Sequence, residues 1–525
     1  MAVLAVILIA ITVFPGVAKM PGTAAFNPVP SHSATVPQKT VTPGPTLTPS
    51  PTSTPAPTPS PVENAGNEPP ARPAYDNTNR PQYDIQIRFD EKSHTATASQ
   101  TIRYTNTVKD SLNEVYLHIY PNHFSKKEYV KMYFNTTSRP VYPDNRFNPG
   151  SIAITSVKAA GKDVKYKIQG KDRTVLRIPI STPLLKGQTI LLNLTYKLQV
   201  PNRMGRFAWG ETGTSFANWY PVLAVYDRDG WNLDPYYELG DPFYSEAADY
   251  KVTIDMPEGM EAAFTGDVVS DAVKEGRRVL ALSETGVRDF AFVLSRKYII
   301  QKQTVDGIEV RVAMPKADRA MMAQVMGYAT KALSIYNRKF GKYTNDTLTV
   351  AFVDDYGGME YPGIVFIQET LLNTKKDTAF LTSCVVHEIA HQWWYGAVGN
   401  DEVEEPWLDE SLTSFSELVY KHGGKSMAGA DLSAIKPSGM LQKGLPEYKS
   451  YSSYRHIYTF GKDFFVKLML LMGEDRFYTM LRKYYTNYAY GIATTEDLRA
   501  LVIETGCDEA VKWFERCVYG KEVSG

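Results

Sequence analysis

Thr378-Ala379-Phe380-Leu381-Thr382-Ser383-Cys384-Val385-Val386-His387-Glu388-Ile389-Ala390-His391-Gln392-Trp393-Trp394 is the stretch on which the reading of this chain turns. Its apolar flanks and helical spacing predict a helix over 378–394. Within it, His387-Glu388-Ile389-Ala390-His391 has the pattern H-E-x-x-H. Residues four apart share a helix face, so both imidazoles can reach one ion while Glu388 lies beside it. A zinc ion lowers the pKa of a bound water, and a neighbouring carboxylate can take the proton as that water attacks a carbonyl. The plain alternative is a pair of packed core histidines.

Downstream, Trp407-Leu408-Asp409-Glu410-Ser411 opens the next helical stretch, 408–421, after a loop rich in Gly and acidic residues. A catalytic tetrahedral site takes three protein ligands and keeps one open position. Glu410 from a second helix completes that set with His387 and His391. Its acidic neighbours Glu404 and Glu405 are expected in solvent. Trp393 and Trp394 are expected in the core.

Around this segment the chain reads as mixed and mainly helical. Strands are predicted at 308–312 and 348–352, with a helix at 316–339 between them. Further helices are predicted at 461–472, 475–488, 495–504 and 508–517. Toward the N-terminus the texture changes to period two: Tyr83, Ile85, Ile87 and Phe89 alternate with polar residues. Short β-rich runs broken by Gly, Pro, Asn and Asp continue to about residue 303, which predicts an all-β domain.

Before that, prolines recur every few residues between Pro43 and Pro61 among Ser and Thr. Such a segment favours extended backbone and builds no core. Residues 2–18 are an almost unbroken apolar run, short for a membrane span and suited to a signal-peptide core or anchor. The expected organisation is therefore a signal peptide or anchor (1–20), a Pro/Thr/Ser-rich disordered linker (21–74), a β-rich domain (75–303) and a catalytic domain (304–525). Export follows from this reading. Membrane contact runs through the N-terminal segment if it stays uncleaved.

The 525 residues carry 57 basic and 57 acidic side chains, so no global field favours nucleic acid or an acidic surface. Cys384, Cys507 and Cys517 form no disulfide framework. Cys507 and Cys517 flank a helical stretch that keeps them roughly 15 Å apart, too far for a bridge.

The H-E-x-x-H pattern, with Glu410 following His391 in a W-L-x-E context, resembles the gluzincin zinc aminopeptidases, the aminopeptidase N family. Gly357-Gly358-Met359-Glu360 looks like that family's G-x-M-E segment. The resemblance makes Glu360 the group that binds the substrate's free α-amine, with the glycines allowing an extended peptide close to the backbone. Tyr458-Thr459-Phe460-Gly461 resembles the family's Y-x-x-G segment, whose tyrosine hydroxyl supports the oxyanion. Tyr454 is the nearest rival for that role.

Two positions depart from the family pattern. Tyr361 stands where Asn is usual, and Phe460 where Lys is frequent. A second amine-binding carboxylate does not stand out near Phe216-Ala217-Asn218, which leaves Glu211 and Glu246 as candidates. The resemblance implies a multidomain fold: an all-β N-terminal domain, then a thermolysin-like α+β, mainly helical catalytic domain, in a short form without the long helical C-terminal domain. It implies one Zn2+ and a peptide substrate, with Glu388 as general base. Two other readings stay open at this stage, a zinc endopeptidase or other zinc hydrolase, and a non-catalytic stalked binding module.

Overall fold

Strict alternation builds the largest sheet. Along Gln82–Asp90, Tyr83, Ile85, Ile87 and Phe89 are buried while Asp84, Gln86, Arg88 and Asp90 face out. The strand pairs antiparallel with Thr95–Thr105, where Tyr83 faces Ile102 and Ile87 faces Ala98. It also pairs in parallel with Ala248–Pro257. Eight strands result, in the order 267–274, 277–287, 248–257, 82–90, 95–105, 189–199, 151–159 and 162–163. Their apolar face covers two four-stranded sheets, one holding Leu112–His118 and Val175–Leu184, the other Phe292–Ser295 and Thr214–Phe216.

The computed structural model describes residues 71–108, 110–130, 141–315, 318–355, 357–373, 378–427 and 435–521. All of them fall in one compact unit. The apolar run 2–18 and most of the Pro-rich linker lie outside the described residues. Among the described residues, no helix is long and apolar enough to cross a membrane.

The second half opens with a five-stranded sheet in the order 299–305, 308–314, 347–353, 364–368 and 358–359. Its central strands are parallel and buried on both faces, so Thr347–Val353 shows no alternation at all. Helix α1 (Arg319–Phe340) links two of them, capped by Asp318, whose side chain accepts from Ala320 N and Met321 N. Then come α2 (Ala379–Ala390), α3 (Trp407–Lys421), the single turn α4 (Tyr451–Tyr454) and α5 (His456–Met472). Three more helices, 474–488, 495–504 and 508–519, pack on these. The architecture is thus β-rich in its N-terminal part and mainly helical in its C-terminal part.

Several boundaries differ from the sequence expectation. Helix α2 ends at Ala390 rather than running to Trp394. There the chain turns, with Gly396 N bonding His391 O and Tyr395 in the left-handed region at φ 114°. Helix α5 begins five residues earlier than expected, at His456, which puts Tyr458 on its first turn. Glu405 is half-buried rather than solvated, because it accepts from Thr495 N and Gln442 Nε2. Trp393 and Trp394 lie in the core, and the three cysteines are unpaired.

Candidate active site

Helices α2 and α3 cross so that His387, His391 and Glu410 meet. His387 Nε2 lies 3.2 Å from Glu410 Oε2, His391 Nε2 lies 3.4 Å from the same oxygen, and the two Nε2 atoms are 3.3 Å apart. The other ring nitrogens are already committed. His387 Nδ1 is 2.9 Å from Glu417 Oε1, and His391 Nδ1 is 3.0 Å from Trp394 O. Those carboxylate and carbonyl acceptors hold one ring proton on each Nδ1, so each Nε2 can offer its lone pair to a metal ion that displaces the second proton.

Three lone pairs therefore converge on one point in a buried place, which is repulsive unless a cation stands among them. Four ligands at zinc–ligand distances of about 2.05 Å stand about 3.3 Å apart around a tetrahedron. The observed triangle has that size, so the residues fit a zinc ion. Burial pulls the His387 imidazole down, but the Glu410 and Glu417 carboxylates outweigh it and push it up to about 10. Burial alone would raise Glu410, yet hydrogen bonds from both histidines hold it at about 2. The field that attracts protons here attracts a metal ion equally.

The remaining candidates gather around this triangle. Glu388 is buried, and burial together with Glu410 and Asp241 carries its carboxyl up to about 7 against the pull of the two imidazoles. The main chain of Gly358 passes against it: a Cβ there would stand 2.2 Å from Glu388 Oε1. Glycine at 358 is thus what allows the strand edge to reach Glu388. Gly357, at φ 70°, turns the chain and pairs with Gln368 through its N–H and C=O.

Glu360 lines the same cleft, 3% exposed, with Oε1 lacking a hydrogen-bond partner. Burial, with Asp241 nearby, raises its carboxyl well above the usual range. Met359 behaves differently from its neighbours. Its side chain packs in the core with Tyr361, Phe366 and Val353, and Met359 is not among the residues that line the cleft.

Tyr458 donates a hydrogen bond to Glu410 Oε1, the oxygen turned away from the histidines, and its ring stacks on His387 at 5.8 Å. Burial raises its hydroxyl well above the usual value, so it stays a donor. The glycine of this motif has a packing role. A Cβ at Gly461 would stand 1.9 Å from Ser411 Oγ, so only glycine lets α5 close on α3 beside Glu410. Tyr454 also lines the cleft, its buried hydroxyl without a hydrogen-bond partner.

The β-rich part supplies residues that no motif or periodicity marks. Arg203, Arg206, Glu238 and Asp241 line the cleft opposite the helices. Asp241 is ion-paired with Arg206 and stands close enough to Glu360 to raise it. Neither Glu211 nor Glu246 lines the cleft. Asp241 sits in an aperiodic loop, where no pattern marks it. Glu417 could have been found, since it follows Glu410 by two helical turns on the same face of α3.

Residues 325–437 match the family model described as "Peptidase family M1 domain". Aminopeptidase M1 of Arabidopsis thaliana is 24% identical over 296 residues, covering 50% of this chain and 33% of the relative. Leucine aminopeptidase 2 of Ajellomyces capsulatus is 22% identical over 389 residues, 67% of this chain and 59% of the relative. The chain spans about a third of the length of the plant relative. Among solved structures, the M1 zinc metallopeptidase of Deinococcus radiodurans aligns with a TM-score of 0.61 at 17% identity, over 85% of this chain and 95% of the other. That likeness concerns the fold.

Proposed function

Because the chain belongs to the aminopeptidase N family, peptidase family M1, we propose that its cleft removes N-terminal residues from peptides as a zinc aminopeptidase. The observation that carries this reading is the triangle of His387 Nε2, His391 Nε2 and Glu410 Oε2, set beside one carboxylate fit to act as base and another fit to hold an amine. Bound there, zinc supplies a Lewis acid that acidifies a water and polarises the scissile carbonyl.

The chain's own residues do the rest. Glu388, carried toward neutral pKa, takes the proton of the attacking water and returns it to the leaving nitrogen. The Tyr458 hydroxyl, kept protonated by burial, turns its single O–H from Glu410 Oε1 to the developing oxyanion, with Tyr454 the next hydroxyl in the cleft. Glu360 holds the substrate's ammonium, and Asp241 is the second carboxylate at that end. A carboxylate at a fixed distance from the metal measures one residue from the N-terminus, which is the physical basis of exopeptidase action. Gly357 and Gly358 keep the strand edge bare for the peptide backbone.

The same reading puts the protein outside the cytoplasm, secreted or anchored. The apolar run 2–18 followed by the Pro-rich stretch supports it. N-terminal sequencing of the exported chain separates a cleaved leader from a retained anchor.

The functional test pairs an aminoacyl anilide with its N-acetylated form, each with and without chelator. Hydrolysis of the free-amine substrate alone, abolished by chelation and restored by zinc, is the expected result. Comparable cleavage of the capped substrate would overturn the amine anchor and leave an endopeptidase on the same zinc chemistry.

A further inference from the structure

Gln392 follows the metal ligand His391 immediately beyond the end of α2, and its side chain is 2% exposed. Its carboxamide is fully engaged: three of its four partners belong to the turn segment that carries Glu360, and the fourth, Tyr343, to the loop between α1 and the strand Thr347–Val353. Nε2 donates to Glu360 O at 3.3 Å and to Tyr361 O at 3.2 Å. Oε1 accepts from Gly363 N at 2.9 Å and from the Tyr343 hydroxyl at 3.3 Å. Two donors and two acceptor sites are all that a carboxamide offers.

The segment so held is a tight turn. Ile364 N bonds Tyr361 O at 3.1 Å, and Gly363 has φ 76°. Glu360 gains from such a hold, because its buried Oε1 has no hydrogen-bond partner to fix it. Its position relative to the metal triangle is set by its main chain, and the main-chain carbonyl of Glu360 is one of the groups that Gln392 grips. A second tie comes from the β-rich part. The Tyr361 hydroxyl donates to Asn218 Oδ1 at 2.6 Å, and Asn218 Nδ2 donates to Asp289 at 2.6 Å.

The geometry points to Gln392 as a positioning residue that sets the distance from the amine-binding carboxylate of Glu360 to the metal centre. It is attached at one end to the residue next to His391 and at the other to the backbone of Glu360. This rests on the aminopeptidase reading, and it adds the part that holds the ruler's length. A displacement near 1 Å between reacting groups costs about a hundredfold, so a rigid amide clamp has a clear use.

The test compares two inhibitors of the full-length zinc protein: leucine hydroxamate and its des-amino analogue. Their ratio of inhibition constants isolates what the amine contributes, since both reach the metal alike. In Gln392→Met the expected ratio falls by about tenfold, with bound zinc and the des-amino constant unchanged. Tyr343→Phe removes one donor to Oε1 away from the metal ligands, and is expected to lower the same ratio by about threefold.

Parallel weakening of both hydroxamates overturns the proposal, as does an unchanged ratio in Gln392→Met. Should Gln392→Met fail to fold or to hold zinc, an unchanged ratio in Tyr343→Phe overturns it, and a lowered ratio supports it. A wild-type protein indifferent to the amine instead sinks the aminopeptidase reading itself, so the two failures are distinguishable.

Discussion

Ile85, Ile87 and Ile102 in the large sheet and Glu360, Glu388 and Glu410 in the cleft are all at most 3% exposed. The isoleucines are buried because leaving water stabilises them, by about 2 kcal/mol each. The carboxylates are buried against that drive, at a cost that only a paired or incoming cation offsets. Among the described side chains near the triangle, Arg206 neutralises Asp241, and the two imidazoles face Glu410. Glu360 and Glu402 keep buried oxygens without hydrogen-bond partners. The sheet is a region completed by its own sequence, whereas the cleft, on the function proposed above, is completed by a metal ion and a positively charged substrate end.

The largest expected effect lies on the cleft side. Glu388→Gln should lower kcat/KM by about a thousandfold or more while zinc per chain stays the same, read by paired kinetics and metal analysis. Substantial residual hydrolysis would remove Glu388 from its role as base. On the sheet side, Leu192 faces Ile102 and both are fully buried. Leu192→Ala should cost about 3 kcal/mol in denaturant unfolding and leave zinc content and KM alone. Loss of zinc there would mean that the two regions are not energetically separable.

Gly358→Ala comes next. The added methyl collides with Glu388, so activity should fall by about a hundredfold with little change in thermal midpoint. A variant with normal activity shows that the edge can yield.

The smallest effect tests a half-buried carboxylate on the sheet for which no cation is expected. Burial pushes Glu284 from 4.5 up to about 7. Its folded form prefers the proton, so stability is highest in acid and is lost as pH rises from about 4.5 to about 7. Glu284→Gln should flatten that slope, gaining about 1 kcal/mol at pH 8 after allowance for partial exposure. Identical pH profiles for both proteins would show that Glu284 ionises freely.

The contrast also explains what could be read in advance. Period two at Tyr83–Phe89 announces a sheet with one wet face, and H-E-x-x-H announces a metal face, because both patterns are local. The double-sided burial of Thr347–Val353 erases alternation, and the small sheets around 208–231 have strands too short to show any. His387 and His391 were legible because helical spacing puts them on one face, while the G-x-M-E segment was marked only by its resemblance to a family motif. Asp241 and Arg206 were not, since they reach the cleft from two separate aperiodic loops through tertiary packing. Gln392 was present in the quoted stretch, but its role depends on where α2 stops. Phe460, set where the family often has Lys, packs as a core residue at 6% exposure.

Everything proposed for the cleft depends on His387, His391 and Glu410 together holding one zinc ion. Metal content per chain, measured on purified full-length protein beside Glu410→Gln and Glu388→Gln, tests it most directly. About one zinc per chain is expected in the wild type and in Glu388→Gln, with a large loss in Glu410→Gln. Equal zinc in all three, or none in the wild type after growth with zinc, would contradict it.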